Sequence, residues 1–137
     1  MIKPTKQSDI THQWQYIDAN DQVVGRISTK IAQLLVGKSK PYFVRHLDCG
    51  DHVVVVNADK VRVTGRKETN KTYTSYSGYP AGLKRTSFEK MQHEKPLEIL
   101  RRSVSGMLPK NKLRDVWLKR LHLFKGSEHP YGDKLIK

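Results

Sequence analysis

Three stretches of this sequence hold residue types that could do chemistry on a nucleic acid. The first, His46-Leu-Asp-Cys-Gly-Asp51 with Asp59 behind it, offers an imidazole and three carboxylates, a set able to hold Mg²⁺ for phosphodiester cleavage. The competing reading is an Asx-type turn, with Asp48 and Asp51 bracketing Gly50 just ahead of an apolar run. The turn is preferred, because no dedicated nucleophile or second carboxylate pair accompanies the cluster. The six His are scattered and show no metal-ligand spacing, and a lone Cys49 furnishes neither a thiolate zinc site nor an internal disulfide. No metal and no cofactor is expected, and Cys49 is read as a small turn-side hydrophobe. Gly37-Lys38-Ser39 looks like the end of a phosphate-binding loop, but Ala32 stands where that motif needs Gly, and a helix rather than a strand precedes it. It is read as a basic cap and linker.

The second stretch is richer. Tyr73, Tyr76 and Tyr79 recur every three residues, with Arg66, Lys67 and Lys71 on one side and Lys84 and Arg85 on the other. Aromatic rings stack on unpaired bases while guanidinium and ammonium groups hold phosphates, as irregular RNA requires. The alternative is that one or two of the rings anchor the segment onto the rest of the domain. The third stretch, Met107-Leu-Pro-Lys-Asn-Lys-Leu-Arg114, reads as a rigid turn between helices that projects Lys110, Lys112 and Arg114 beside Lys119 and Arg120. Leu108 or Met107 is available to plug the core, and a helix start near Asn111 offers free N–H groups to a phosphate.

Charge supports a polyanionic partner. The 137 residues carry 26 Lys plus Arg against 13 Asp plus Glu, a formal charge of +13. Up to Asp59 there are 7 basic and 6 acidic residues; beyond it there are 19 and 7. Between Arg101 and Lys125 eight basic residues meet one acid, a density that solubility alone does not require. The longest apolar run, Val53 to Val56, is far below the roughly 20 residues that span a bilayer. No membrane partner, no secretion and a reducing, cytoplasmic location are therefore expected.

These side chains need a scaffold, and the length suits a single domain over residues 1–137. Trp14–Asp18 reads as a short strand and Ala19 to Asp21 as a turn. Ile27, Ile31, Leu34 and Leu35 form one helical stripe, with Gly37 in the place of a left-handed cap. Val53 to Val56 lacks polar alternation, as a central parallel strand covered on both faces does. Val61-Arg-Val-Thr64 alternates and reads as half-exposed. Residues 65–83 have no helical period and read as a basic extended excursion or hairpin pair. Thr86 with Glu89 has capping-box spacing, Pro96 suits a first helical turn, and Leu97, Leu100 and Val104 continue that helix until Gly106. Asn111 caps another helix with Leu113, Val116 and Trp117 inward, and Leu121 to Phe124 is a last strand. Residues 127–137 read as an irregular tail. Strands alternating with helices predict an α/β layer fold with right-handed parallel crossovers.

These stretches resemble the bacterial and organellar large-subunit ribosomal protein family thirteen over nearly the whole chain. The resemblance rests on Trp14-Gln-Tyr-Ile-Asp-Ala19 followed by Gly25-Arg26, His46 through Asp51, Val56-Asn-Ala-Asp-Lys60, Val63-Thr-Gly-Arg-Lys67, Gly106-Met-Leu-Pro-Lys110 and Glu128-His-Pro130. It implies a three-layer α/β/α sandwich with a central, mostly parallel sheet of about four strands. It also implies a structural, non-enzymatic part of the large subunit that binds rRNA and neighbouring ribosomal proteins and acts early in assembly, with no small-molecule substrate. The chain departs from the family pattern at Ser105, Arg45 and Tyr131, where Lys, Pro and His are common, and at Arg114-Asp115, where Gly-Arg is frequent. Against this stand a metal-dependent nuclease built on His46, Asp48 and Asp51, decided by an RNA cleavage assay with Mg²⁺, and a nonspecific DNA architectural protein, decided by affinity for duplex DNA against structured rRNA.

Overall fold

Trp14–Asp18, with its aromatic and β-branched content, is strand β1 in the computed structural model, which describes residues 3–135. The turn that follows leads into helix α1, Val24–Val36, whose inner stripe of Ile27, Ile31 and Leu35 is buried while Leu34 packs at its margin. Gly37 ends it with φ +82°, the left-handed conformation that a side chain resists. Space demands glycine as well: a Cβ at Gly37 would lie 2.4 Å from the Cys49 carbonyl oxygen. The loop after α1 is thereby pressed against the helix end, and Asp51 N–H donates to the Leu34 carbonyl at 3.1 Å.

Strand β2, His52–Val56, is central, and its four valines are fully buried. It pairs in parallel with β1 (Trp14 beside His52, Asp18 beside Val56) and with β5, Leu121–Leu123 (Val53 beside Leu121). Pleating sends Ile17, Val53, Val55, Leu121 and Leu123 into the main core and Trp14, Tyr16, His52, Val54 and His122 to the opposite face. The fold is mixed α/β, with a parallel sheet of three strands and a small antiparallel one. About four strands were expected in the main sheet. Among the described residues Val61-Arg-Val-Thr64 makes a single bridge, Val23 with Arg62, because Val23 immediately precedes α1 and Gly65, at φ +69°, turns the chain away.

The excursion contains a short helix α2, Lys67–Asn70, and a hairpin of β3, Thr72–Tyr76, with β4, Leu83–Ser87. It therefore runs past residue 83, and Thr86 belongs to β4. The cap of helix α3, Phe88–Glu94, is Ser87, whose hydroxyl accepts from Lys90 N–H at 3.3 Å. Helix α4, Pro96–Met107, starts on its proline and continues through Gly106, which faces open space. What stops it is Pro109, which disfavours a helical Leu108; that residue is extended and buried in the core, while Met107 is exposed. Asn111 Oδ1 accepts from Leu113 N–H at 3.1 Å and opens helix α5, Leu113–Lys119. Trp117 is buried there, but Val116 points outward, 40% exposed, one residue round from the Trp117 face.

Helices α1, α4 and α5 pack together over the main core, with α3 against α4. The tail was expected to be irregular. Residues 132–135 instead form a helical turn, α6, against β1, and Tyr131 stacks on Trp14 at 4.9 Å between ring centroids. Residues 136 and 137 of that expected tail, like 1 and 2, lie outside the described residues.

Candidate nucleic-acid interface

The expected RNA-contacting residues fall on two projections. On the hairpin the register pairs Tyr73 with Thr86, Thr74 with Arg85, Ser75 with Lys84 and Tyr76 with Leu83. Alternation therefore puts Tyr76 and Arg85 on one face and Tyr73 and Lys84 on the other. Tyr73 is the anchoring ring: it is half-buried, packed against the core, with Lys71 Nζ 5.5 Å and the Arg102 guanidinium carbon 5.4 Å from its centroid. Burial pushes its phenol above the ordinary value, against the opposing influence of Arg102. Tyr76 and Tyr79 are exposed, as are Arg66, Lys67, Lys71, Lys84 and Arg85 on the same projection.

On the second projection Lys110, Lys112 and Lys119 are exposed and make no ion pair among the described residues. Arg114 is half-buried and donates from Nη2 to Ser105 Oγ at 2.5 Å, tying α5 to α4. Arg120 turns inward. Its guanidinium closes on Asp48, and burial lowers its pKa from the ordinary value. Asp48 also accepts from Trp117 Nε1 at 3.0 Å and from Gly50 N–H at 3.4 Å, the expected Asx turn.

Asp51 of the first stretch is similarly engaged. Asp51, 4% exposed, pairs with Lys40 Nζ at 2.6 Å and accepts from Gln13 N–H at 3.0 Å. Among the described residues no three of His, Cys, Asp and Glu converge as metal ligands. Asp48 and Asp51 thus each face a cation of this chain, which is the arrangement of a structural loop, while Asp59 Oδ1 is buried with no hydrogen-bond partner among the described residues.

Lys38, read from the sequence as part of a basic cap and linker, and Arg45 join the second projection. Lys38 and Arg45 are exposed on the segment after α1, and that segment meets the loop around Pro109. A groove of two adjoining cavities, about 400 and 350 Å³, runs between them, with Val36, Lys38 and Pro109 in both walls. Neither Lys38 nor Arg45 carries a local signal for this; more than sixty positions separate them from Asn111, and only tertiary packing joins them.

The opposite face of the sheet carries a layer of rings. Trp14 stacks on His52 with centroids 4.2 Å apart, His122 lies 5.4 Å from Trp14, and Lys134 Nζ sits 4.7 Å over the indole. Burial lowers the pKa of both His52 and His122, with Lys134 acting in the same direction.

The family model described as ribosomal protein L13 matches residues 12–130. Among similar proteins, the large ribosomal subunit protein uL13 of Psychrobacter sp. (strain PRwf-1) is 48% identical over 93% of this chain and 89% of its own length. That of Bifidobacterium longum (strain DJO10A) is 48% identical over 92% and 84%, and that of Solibacter usitatus (strain Ellin6076) 45% over 94% and 90%. The match takes in the parallel sheet, the tyrosine hairpin and the lysine loop together, and on that span the chain belongs to the ribosomal protein L13 family.

Proposed function

We propose that this protein is a structural constituent of the large ribosomal subunit, binding rRNA and neighbouring ribosomal proteins in the cytoplasm and supporting early assembly without a chemical step. The observation that carries the reading is the set of exposed lysines on the 108–119 projection that make no ion pair among the described residues, in a chain whose relatives are large-subunit proteins. Phosphate contacts come from Arg66, Lys67, Lys71, Lys84 and Arg85 on the hairpin and from Lys110, Lys112 and Lys119 on the loop and α5. Tyr76 supplies a stacking surface, Tyr73 holds the hairpin in place, and Arg114 and Arg120 fix the loop that presents the lysines. Residues 1–137 act as one domain. Its helical layer, sheet and C-terminal segment with α6 are the three layers of an α/β/α sandwich, the last much the thinnest.

Sedimentation of tagged protein from lysate on a sucrose gradient, at low and high salt, tests this. Co-migration with large subunits through moderate salt is the expected result; protein confined to light fractions would refute the ribosomal reading.

A further inference from the structure

The groove between the end of α1 and the Pro109 loop combines an apolar wall with a basic rim. Its inner wall is apolar: Val36, Phe43, Pro109 and the buried Trp117 line the 350 Å³ cavity. Its rim is cationic, formed by Lys38 and Arg45, and Lys110 and Lys112 alternate along the chain with the lining residues Pro109 and Asn111. Among the described residues no carboxylate lines either of the adjoining cavities. By contrast the cavity beside Tyr16 includes Asp18, and the one beside α3 includes Glu68 and Glu89.

An apolar slot with Lys38 and Arg45 on its rim suits a ligand that is flat and apolar at one end and anionic at the other. A purely apolar peptide side chain would use the wall and leave Lys38 and Arg45 unmatched; a bare phosphate would use the rim and leave the wall wet. We infer that this groove receives the base of an unpaired RNA nucleotide, with Phe43 and Pro109 as the stacking wall and Lys38 and Arg45 holding the flanking phosphates. Asn111 adds a polar contact on the rim. Its Oδ1 is committed to the Leu113 N–H, which fixes the amide and leaves its NH₂ to donate to a base edge. The site is therefore a base pocket within the lysine projection, and it rests on the rRNA-binding reading above.

The first experiment irradiates purified large subunits with short-wavelength ultraviolet light and maps nucleotide adducts on this chain by mass spectrometry. A nucleotide adduct on the peptide containing Phe43 is expected, and Arg45→Ala, at an exposed position that leaves the core intact, should reduce its yield while hairpin adducts persist. Adducts confined to residues 65–87, or a protein neighbour cross-linked at Phe43, would overturn the pocket while leaving RNA binding in place. Absence of the chain from large subunits would instead refute the ribosomal reading itself.

A salt series with the full chain and extracted large-subunit rRNA separates base contact from phosphate contact. Stacking releases no counterions, so Phe43→Leu should weaken binding about fivefold or more at every salt concentration without changing the slope. Lys110→Ala should flatten the slope by about 0.7–0.9. Affinity of the folded Phe43→Leu variant equal to that of the parent protein would overturn the pocket. If that variant does not fold, the Arg45→Ala adduct yield decides.

Discussion

Trp14 and His52, side by side in the parallel register of β1 and β2, lie with ring planes 6° from parallel and centroids 4.2 Å apart. His52 sits in a site where burial, His12 and Lys134 all oppose its charge and Asp51 favours it. His122, facing His52 and Lys134 on the same layer, is depressed for the same reasons. With both histidine pKa values lowered in the folded state, the unfolded chain binds more protons as pH falls through about 6.5, so stability is complete above that value and declines below it. The urea midpoint should be lower at about pH 5.5 than at about pH 7.5, and replacing both histidines by Gln should shrink the difference. An unchanged pH dependence in the double variant would show that the layer does not couple to folding.

Arg120, expected among the RNA contacts, has its guanidinium turned onto Asp48. Arg120→Ala leaves Asp48 with the Trp117 and Gly50 donors but no cation, and should cost roughly 2–3 kcal/mol in urea unfolding, toward the low end for a buried pair because Asp48 keeps some solvent. The salt slope of RNA binding should stay that of the parent protein. Full stability with a flatter slope would return Arg120 to the phosphate contacts.

Tyr73 and Tyr76 should separate cleanly. Tyr73→Ala removes the ring held between Lys71 and Arg102 and should expose the 77–82 turn to proteolysis, whereas Tyr76→Ala should leave cleavage unchanged and reduce rRNA affinity by roughly 1 kcal/mol. Equal protease sensitivity in the two variants would contradict the anchoring role.

Two glycines should respond in opposite directions to alanine. At Gly50 the new Cβ would overlap the Leu35 carbonyl oxygen, and Gly50→Ala should cost about 3 kcal/mol or prevent folding. Gly106 lies within α4 with nothing within 4 Å, and Gly106→Ala should stabilise by roughly 0.5 kcal/mol. Thermal or urea unfolding of the pair checks both signs.

Local signals carried much of this architecture. The stripe Ile27, Ile31, Leu34 and Leu35, the glycine cap at Gly37 and the unbroken valines of β2 each depend on neighbours within a few residues, and each was readable. Features set by distant partners were not. Thr86 and Ser87 are both plausible caps until the hairpin register claims Thr86 for β4. Arg120 looks like its basic neighbours until the fold brings Asp48 against it, and Tyr131 looks like part of an irregular tail until Trp14 lies beneath it. The cations of the candidate site were legible by type and density; Lys38 and Arg45 were not, because the groove that gives them meaning is formed between segments far apart in the chain.

The strand order β1, β2, β5 has a consequence for how the chain is made. β2 is the most apolar segment of the molecule, and β1, made before it, can pair with only one of its edges. The other edge waits for Leu121–Leu123, and the hairpin synthesised in between forms its own separate sheet. Throughout that interval the valine strand presents open backbone donors and acceptors on one side, a template for any extended chain nearby. A chain that stalls before Leu121 is thus more prone to aggregate than one that stalls after it, and the completed protein is safest once its last strand has closed the sheet.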